Sequence, residues 1–178
     1  WGEGALEDAQ GTPVGTLIGF PIDLATEVRL TGGTHRVAAT LAADKAHKIK
    51  AVLGVHVDTS SSIRTDMRGL RAVLDATGHP ALLMSDCIAS LGCDRFEMDV
   101  WGVDVMVAAS QKGLMVPPGL GFVFFNDKAV AARQTLPRVS NYWDWEPRKN
   151  PDQLWQYFGG TPPTHHLYGL RAALAMIA

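Results

Sequence analysis

Two stretches decide the fold: Ala81-Leu-Leu-Met-Ser85, which ends on Asp86, and Val103-Asp-Val-Met-Val-Ala-Ala109, which ends on Ser110-Gln111-Lys112. Each is a short, mostly apolar run closed by polar side chains, the pattern of a strand buried on both faces. Upstream, Ala51-Val-Leu-Gly-Val-His-Val57 has the same character and ends in the polar cluster Asp58-Thr-Ser-Ser-Ser62. A helix is predicted between the first two runs in chain order. Thr65 or Asp66 can cap it, Met67, Leu70 and Leu74 repeat at helical spacing, and Gly78 suits its last turn.

Working outward, Gly121-Phe-Val-Phe-Phe125 predicts a further strand, and helices are predicted over 127–134 and 164–177. In the last helix Leu167, Leu170, Leu174 and Ile177 form one apolar stripe. Towards the N-terminus, Val14 to Phe20 reads as a strand closed by Pro21, and Thr34 as the cap of a helix with Val37, Ala38 and Leu41 on one face. Strands alternating with helices imply an α/β domain with a mixed, mainly parallel sheet flanked by helices. The loop from Ser110 to Leu120 is too short for a crossover helix, so the strands on either side of it are expected to pair antiparallel. Between Leu136 and Gly160, Tyr142, Trp143, Trp145, Trp155 and Tyr157 make an ordered surface excursion the expectation.

With 178 residues, 47% hydrophobic and 19% charged, the chain can bury a core and is not disordered. A net charge of −2 without a basic block argues against a nucleic-acid partner. No apolar run is long enough for a membrane helix. Cys87 and Cys93 lack the spacing of a disulfide framework or zinc site, and read as reduced thiols of a cytoplasmic protein. No metal site is expected. His165 and His166 point to different faces of a helix start, His56 reads as a hydrogen-bonded structural histidine, and Arg64, Arg68 and Arg71 read as a solvated helix face.

In an open α/β sheet, functional groups gather at the carboxyl ends of the strands. Three such ends are polar here: Asp58-Thr59, Asp86, and Ser110-Gln111-Lys112. An acid and a lysine delivered to one sheet edge make a plausible active-site pair, although any α/β domain offers polar residues there.

The exact residues go further. Ser85-Asp-Cys-Ile-Ala-Ser-Leu-Gly92, then Gly102-Val-Asp, Ser110-Gln-Lys112 and Pro117-Pro-Gly119, together with His56-x-Asp-Thr-Ser60, resemble class V pyridoxal-phosphate aminotransferases, in the family's order and at similar spacing. The resemblance is to the serine–glyoxylate and alanine–glyoxylate group, runs from about Lys50 to Ile177, and implies the large domain of the fold type I enzymes. It implies that Lys112 condenses with the aldehyde of pyridoxal 5'-phosphate and then serves as the base that moves the substrate proton. Asp86 would keep the ring nitrogen protonated, so that the ring can accept electrons. Thr59 matches a hydroxyl residue near the cofactor's phenolic oxygen, Ile88 an aliphatic residue beneath the ring, and Gln111 a phosphate ligand. Thr161 matches a threonine that reaches the phosphate in the other subunit, which implies a homodimer with a shared site. Phe158 stands where the family has a tyrosine.

Under the resemblance, residues 1–178 are a partial cofactor-binding large domain. The N-terminal phosphate-binding segment and the C-terminal small domain with the carboxylate-binding arginine lie outside it. The expected substrates are a small amino acid, serine or alanine, and glyoxylate as the 2-oxo acid acceptor. Two other readings are a cysteine desulfurase-like enzyme, which would need a mobile catalytic cysteine, and a non-catalytic remnant of the fold serving as a dimerisation or interaction domain.

Overall fold

Apolar runs alternating with capped helical segments build a sheet between two helical layers. The structure is a computed structural model that describes residues 3–7, 13–18 and 33–177. A hairpin of β1 (Glu3–Glu7) and β2 (Pro13–Ile18) precedes α1 (Gly33–Ala43). The main unit then runs β3 (Ala51–Val55), α2 (Met67–Thr77), β4 (Leu82–Asp86), β5 (Val105–Ala109), β6 (Gly121–Phe125) and α3 (Asp127–Gln134). Two 3-10 turns, Glu146–Arg148 and Leu154–Tyr157, lead to α4 (Thr164–Ile177). The strand expected over 14–20 is thus β2, while Pro21 and residues 19–20 lie outside the described residues.

Sheet order is β3-β4-β5-β6, with the first three strands parallel and β6 antiparallel on the edge. The short 110–120 loop dictates that reversal, as expected. Side chains alternate across the sheet with the two-residue period of a strand. Val52 and Leu83 face α1 and α2, meeting Val37, Leu41, Met67, Leu70 and Leu74. Their neighbours Leu53 and Met84 face the opposite way, towards Val105 and Ala129 of α3. Both faces of the inner strands are therefore dry, which is why they read as unbroken apolar runs.

Caps fix the length of α2. Asp66 accepts the Gly69 N–H at 2.9 Å, and Gly78 ends the helix in the left-handed region at φ 61°. Thr65, the other capping candidate, instead donates its hydroxyl to the Val55 carbonyl at 2.6 Å. Arg64 and Arg68 are exposed as expected, but Arg71 is not part of a solvated face. Arg64 precedes the helix and pairs with Asp94, while Arg71 is largely buried between Asp75 and Asp104.

Asp104 ties the layers together at the amino end of the sheet. Its carboxylate accepts the Leu83 N–H at 2.8 Å, Asn126 Nδ2 at 2.9 Å and Lys128 Nζ at 3.1 Å, with Arg71 at 3.8 Å. Its backbone N–H donates to the Leu83 carbonyl and its carbonyl accepts the Asn126 N–H. β5 accordingly starts at Val105, not at Val103 as the apolar run suggested. The excursion over 136–160 is ordered, as expected: Arg133 of α3 grips Asp144 through both carboxylate oxygens, and Arg148 donates to the Asn141 carbonyl. The stripe expected on α4 is only partly covered. Ala173 is the helix's buried residue, while Leu174 and Ile177 stand 48% and 45% exposed.

Replacing Asp104 with Ala leaves the buried Leu83 N–H without its acceptor and takes a partner from Asn126, Lys128 and Arg71 at once. Asp104→Ala is expected to lower unfolding stability by about 3 kcal/mol, read by urea denaturation; a loss under about 1 kcal/mol would contradict this role.

Candidate active site

Strand register brings the segments that carry Asp86 and Lys112 to one edge of the sheet. Asp86 is the last residue of β4 and pairs with Val107 of β5. β5 continues to Ala109, and Lys112 follows five positions beyond the register partner (112 − 107). Thr59 lies in the turn after β3, so Thr59, Asp86, Ile88, Gln111 and Lys112 all sit at or beyond the carboxyl ends of three neighbouring parallel strands. The His56 N–H donates to the Asp86 carbonyl at 2.9 Å and the Cys87 N–H to the Val107 carbonyl at 2.8 Å, extending the ladder past the named strands. Thr161 stands apart, exposed in the bend before α4, in an open depression lined also by Trp155, Phe158 and Pro162.

Asp86 is half-buried. One carboxylate oxygen accepts the Ile88 N–H at 2.8 Å, and no other described residue donates to it. Burial pushes its pKa up, and the Ile88 N–H offsets this only in part. Ile88 itself is half-buried in the turn. The thiol that follows, Cys87, is fully buried against Ser85 at 3.3 Å, and burial pushes its pKa up to about 11. It is no nucleophile.

The Asp86 turn and the Lys112 loop meet backbone to backbone. A Cβ on Gly113 would lie 2.3 Å from the Leu91 carbonyl oxygen and 2.8 Å from Cys93 Sγ. From the other side, Gly92 sits at φ 81°, and its Cβ would stand 3.0 Å from the Gly113 carbonyl. Only paired glycines allow this approach. Sequence reasoning found Gly92 through its motif but gave Gly113 no role; a glycine directly after the lysine was the available signal.

Gln111 and Lys112 are exposed at the tip of the loop, with the Met115 N–H closing a turn onto the Lys112 carbonyl at 2.9 Å and Met115 at φ 55°. Ser110, also missed, is fully buried and closes the loop's base. Its hydroxyl donates to the Pro117 carbonyl at 2.8 Å and accepts the Leu120 N–H at 3.3 Å.

His56 is buried, but not hydrogen-bonded through its ring as expected. It packs edge-on against Phe96 and Trp101, with Nδ1 unpartnered, and burial lowers its pKa. His165 is exposed, and His166 turns towards the Pro118 carbonyl, so the two share no site. Among the described residues no helix is long and apolar enough to cross a membrane.

Residues 26–178 match the family described as Aminotransferase class-V. The chain is 43% identical over 150 residues to a serine–glyoxylate aminotransferase of Methylorubrum extorquens, covering 80% of the chain and 37% of that protein. It is 40% identical over 161 residues to a serine–glyoxylate aminotransferase of Arabidopsis thaliana, covering 90% and 40%. An alanine–glyoxylate aminotransferase from Nostoc sp. has a similar fold, with a TM-score of 0.67 and 27% identity over 80% of this chain and 37% of that one. The chain thus spans about 40% of the length of the curated relatives it matches.

Two outcomes test the site's physics. Gly113→Ala forces a backbone clash and is expected to cost about 2 kcal/mol in urea denaturation; an unchanged midpoint would mean the two turns are not packed as described. Burial lifts the folded pKa of Asp86 above its unfolded value. Stability from its protonated form is therefore complete below the unfolded pKa and is lost as pH rises through the folded one. Asp86→Asn keeps an oxygen for the Ile88 N–H, so the cofactor-free variant should melt higher than wild type at pH 7 and equally near pH 3. A lower melting point at pH 7 would show that the Asp86 carboxylate is stabilised by a partner.

Proposed function

The chain belongs to the class-V aminotransferases, and we propose that it carries the cofactor-binding core of a pyridoxal-phosphate enzyme that moves an amino group from serine or alanine to glyoxylate. The observation that carries this reading is the delivery of Asp86 and Lys112 to one sheet edge by adjacent parallel strands, with their loops in backbone contact through Gly92 and Gly113.

The residues fit the cofactor. Asp86 is a carboxylate held by a single N–H in a setting that disfavours its charge. A cationic ring nitrogen bound beside it would supply the missing counter-charge, and Asp86 would in turn hold the proton on that nitrogen. Pyridoxal phosphate, when bound, supplies an aldehyde for a lysine amine and a ring that withdraws electrons from the substrate's α-carbon. Lys112 is the residue that would hold the aldehyde, and its amine would be the base that moves the proton of the substrate's α-carbon. Thr59 and Gln111 would donate hydrogen bonds to the cofactor's oxygens, and Ile88 would pack against its ring.

Thr161 serves the phosphate of a second copy's site, making the protein a homodimer with shared sites. Phe158 supplies no hydroxyl there, so Thr161 bears that contact alone. Glyoxylate as acceptor rests on the names of the relatives, which share it and differ in the donor. The buried Cys87 argues against desulfuration through that thiol.

Borohydride reduction of the full-length protein after addition of pyridoxal phosphate, followed by peptide mapping, should find the adduct on Lys112. Lys112→Ala should remove the adduct and cut transamination on the order of a thousandfold or more. An adduct on another lysine, or substantial turnover by the variant, would overturn the assignment.

A further inference from the structure

We propose that His166 of α4 is a positioning residue for Lys112, acting through the loop that carries the lysine. The proposal rests on the reading of Lys112 as the cofactor-linking base. The loop from Ser110 to Leu120 is closed at its base by the buried Ser110 hydroxyl, by the Ser110 N–H to the Leu120 carbonyl at 3.1 Å, and by the Val116 N–H to the Ser110 carbonyl at 3.0 Å. Those bonds fix where the loop begins and ends. They also hold Val116 and Pro117, and leave the outer arm, the Pro118–Gly119 turn between the two held points, to be oriented by something else.

Helix α4 does this with one face. His166 Nε2 lies 3.0 Å from the Pro118 carbonyl oxygen, and because a carbonyl only accepts, the ring must present an N–H there. Next along the arm, Gly119 has φ 149°, a conformation reserved for glycine, and a Cβ there would stand 2.6 Å from His166 Nε2. The Nε2 edge of the imidazole therefore lies against the turn, and glycine at 119 is needed both for the backbone angle and for the space. One turn along α4, at the i+3 spacing that shares a face, a Cβ on Gly169 would stand 3.5 Å from Val116 Cγ1, so the same helix face runs alongside the loop there. The polar contact that holds the turn is the one from His166 to Pro118.

Lysine carries its amine on a long flexible stem, so the position of the amine depends on how firmly the backbone beneath it is held. Proton transfer is sensitive to small displacements of the reacting groups. Removal of one hydrogen bond at a half-exposed site loosens the arm without unfolding it. The effect belongs in the steps Lys112 performs, not in substrate affinity. His166 also lies five residues beyond Thr161 (166 − 161), so the helix that holds the lysine loop starts from the segment proposed to serve the second copy's site.

The test compares wild type, His166→Ala and His166→Gln in the full-length protein. Gln presents an N–H at a reach similar to Nε2. In cofactor-free protein, hydrogen exchange of a peptide spanning 110–120 should be about fivefold faster in His166→Ala, the equivalent of one lost hydrogen bond, and near wild type in His166→Gln. With pyridoxal phosphate bound, His166→Ala should lower kcat by a similar factor with little change in KM, and shift the pH midpoint of the visible band of the lysine-bound cofactor. His166→Gln should restore both. Unchanged exchange in His166→Ala overturns the dock itself. Faster exchange with an unaltered band and kcat overturns its influence on Lys112. A wild-type protein that yields no borohydride adduct on Lys112 overturns the underlying cofactor reading, whatever the exchange result.

Discussion

Two turns meet through glycine at Gly92 and Gly113, and the arrangement of the candidate site depends on that contact. One turn follows β4 and carries Asp86 at its start; the other follows β5 and carries Lys112 just before the glycine. Strand register alone would bring the two side chains to the same edge, but with the freedom of two separate loops. Backbone contact at 2.3–3.0 Å from any would-be Cβ removes that freedom, because neither turn can move towards the other. The cost is conformational entropy, which glycine loses more heavily than other residues on folding. Ser110 beneath the lysine loop and His166 beside it restrain the remaining directions.

What was legible in the sequence was whatever local periodicity encodes. The inner strands lie between two helical layers, so their residues are apolar on both faces and their runs stand out. The cap at Asp66 and the stop at Gly78 are local hydrogen-bond and backbone-angle demands, and both were visible. The features that escaped are set by distant partners. Arg71 reads as a surface arginine until Asp104, more than thirty residues away, is folded against it. His56 reads as a hydrogen-bonding residue, yet Phe96 and Trp101 enclose its ring. Of the site residues, Asp86 and Lys112 could be singled out by strand ends and by motif together. The roles of Gly113, Ser110 and His166 exist only in three dimensions, because each acts on a backbone segment that is not its neighbour in sequence.

The apolar stripe of α4 illustrates the opposite case, where the sequence signal is stronger than the packing among the described residues. Leu174, Met176 and Ile177 remain 45–70% exposed on a helix whose other face already serves the lysine loop. Trp155, Tyr157 and Tyr168 are also more than half exposed.

Two aspartates within twenty residues of each other sit in opposite settings at the two ends of the sheet. Asp104, at the amino end, is almost completely buried, and backbone, amide and ammonium donors saturate its oxygens. Asp86, at the carboxyl end, is half-buried and has one donor, so its charge is not offset within the described residues. A carboxylate saturated in this way holds strands and helix together and has nothing left to offer a ligand. One left short of partners costs stability in the free protein and gains most when a cation arrives. Differences in environment push the same side chain towards opposite tasks, and the strand ladder connecting the two ends lets the first rigidify the platform on which the second acts.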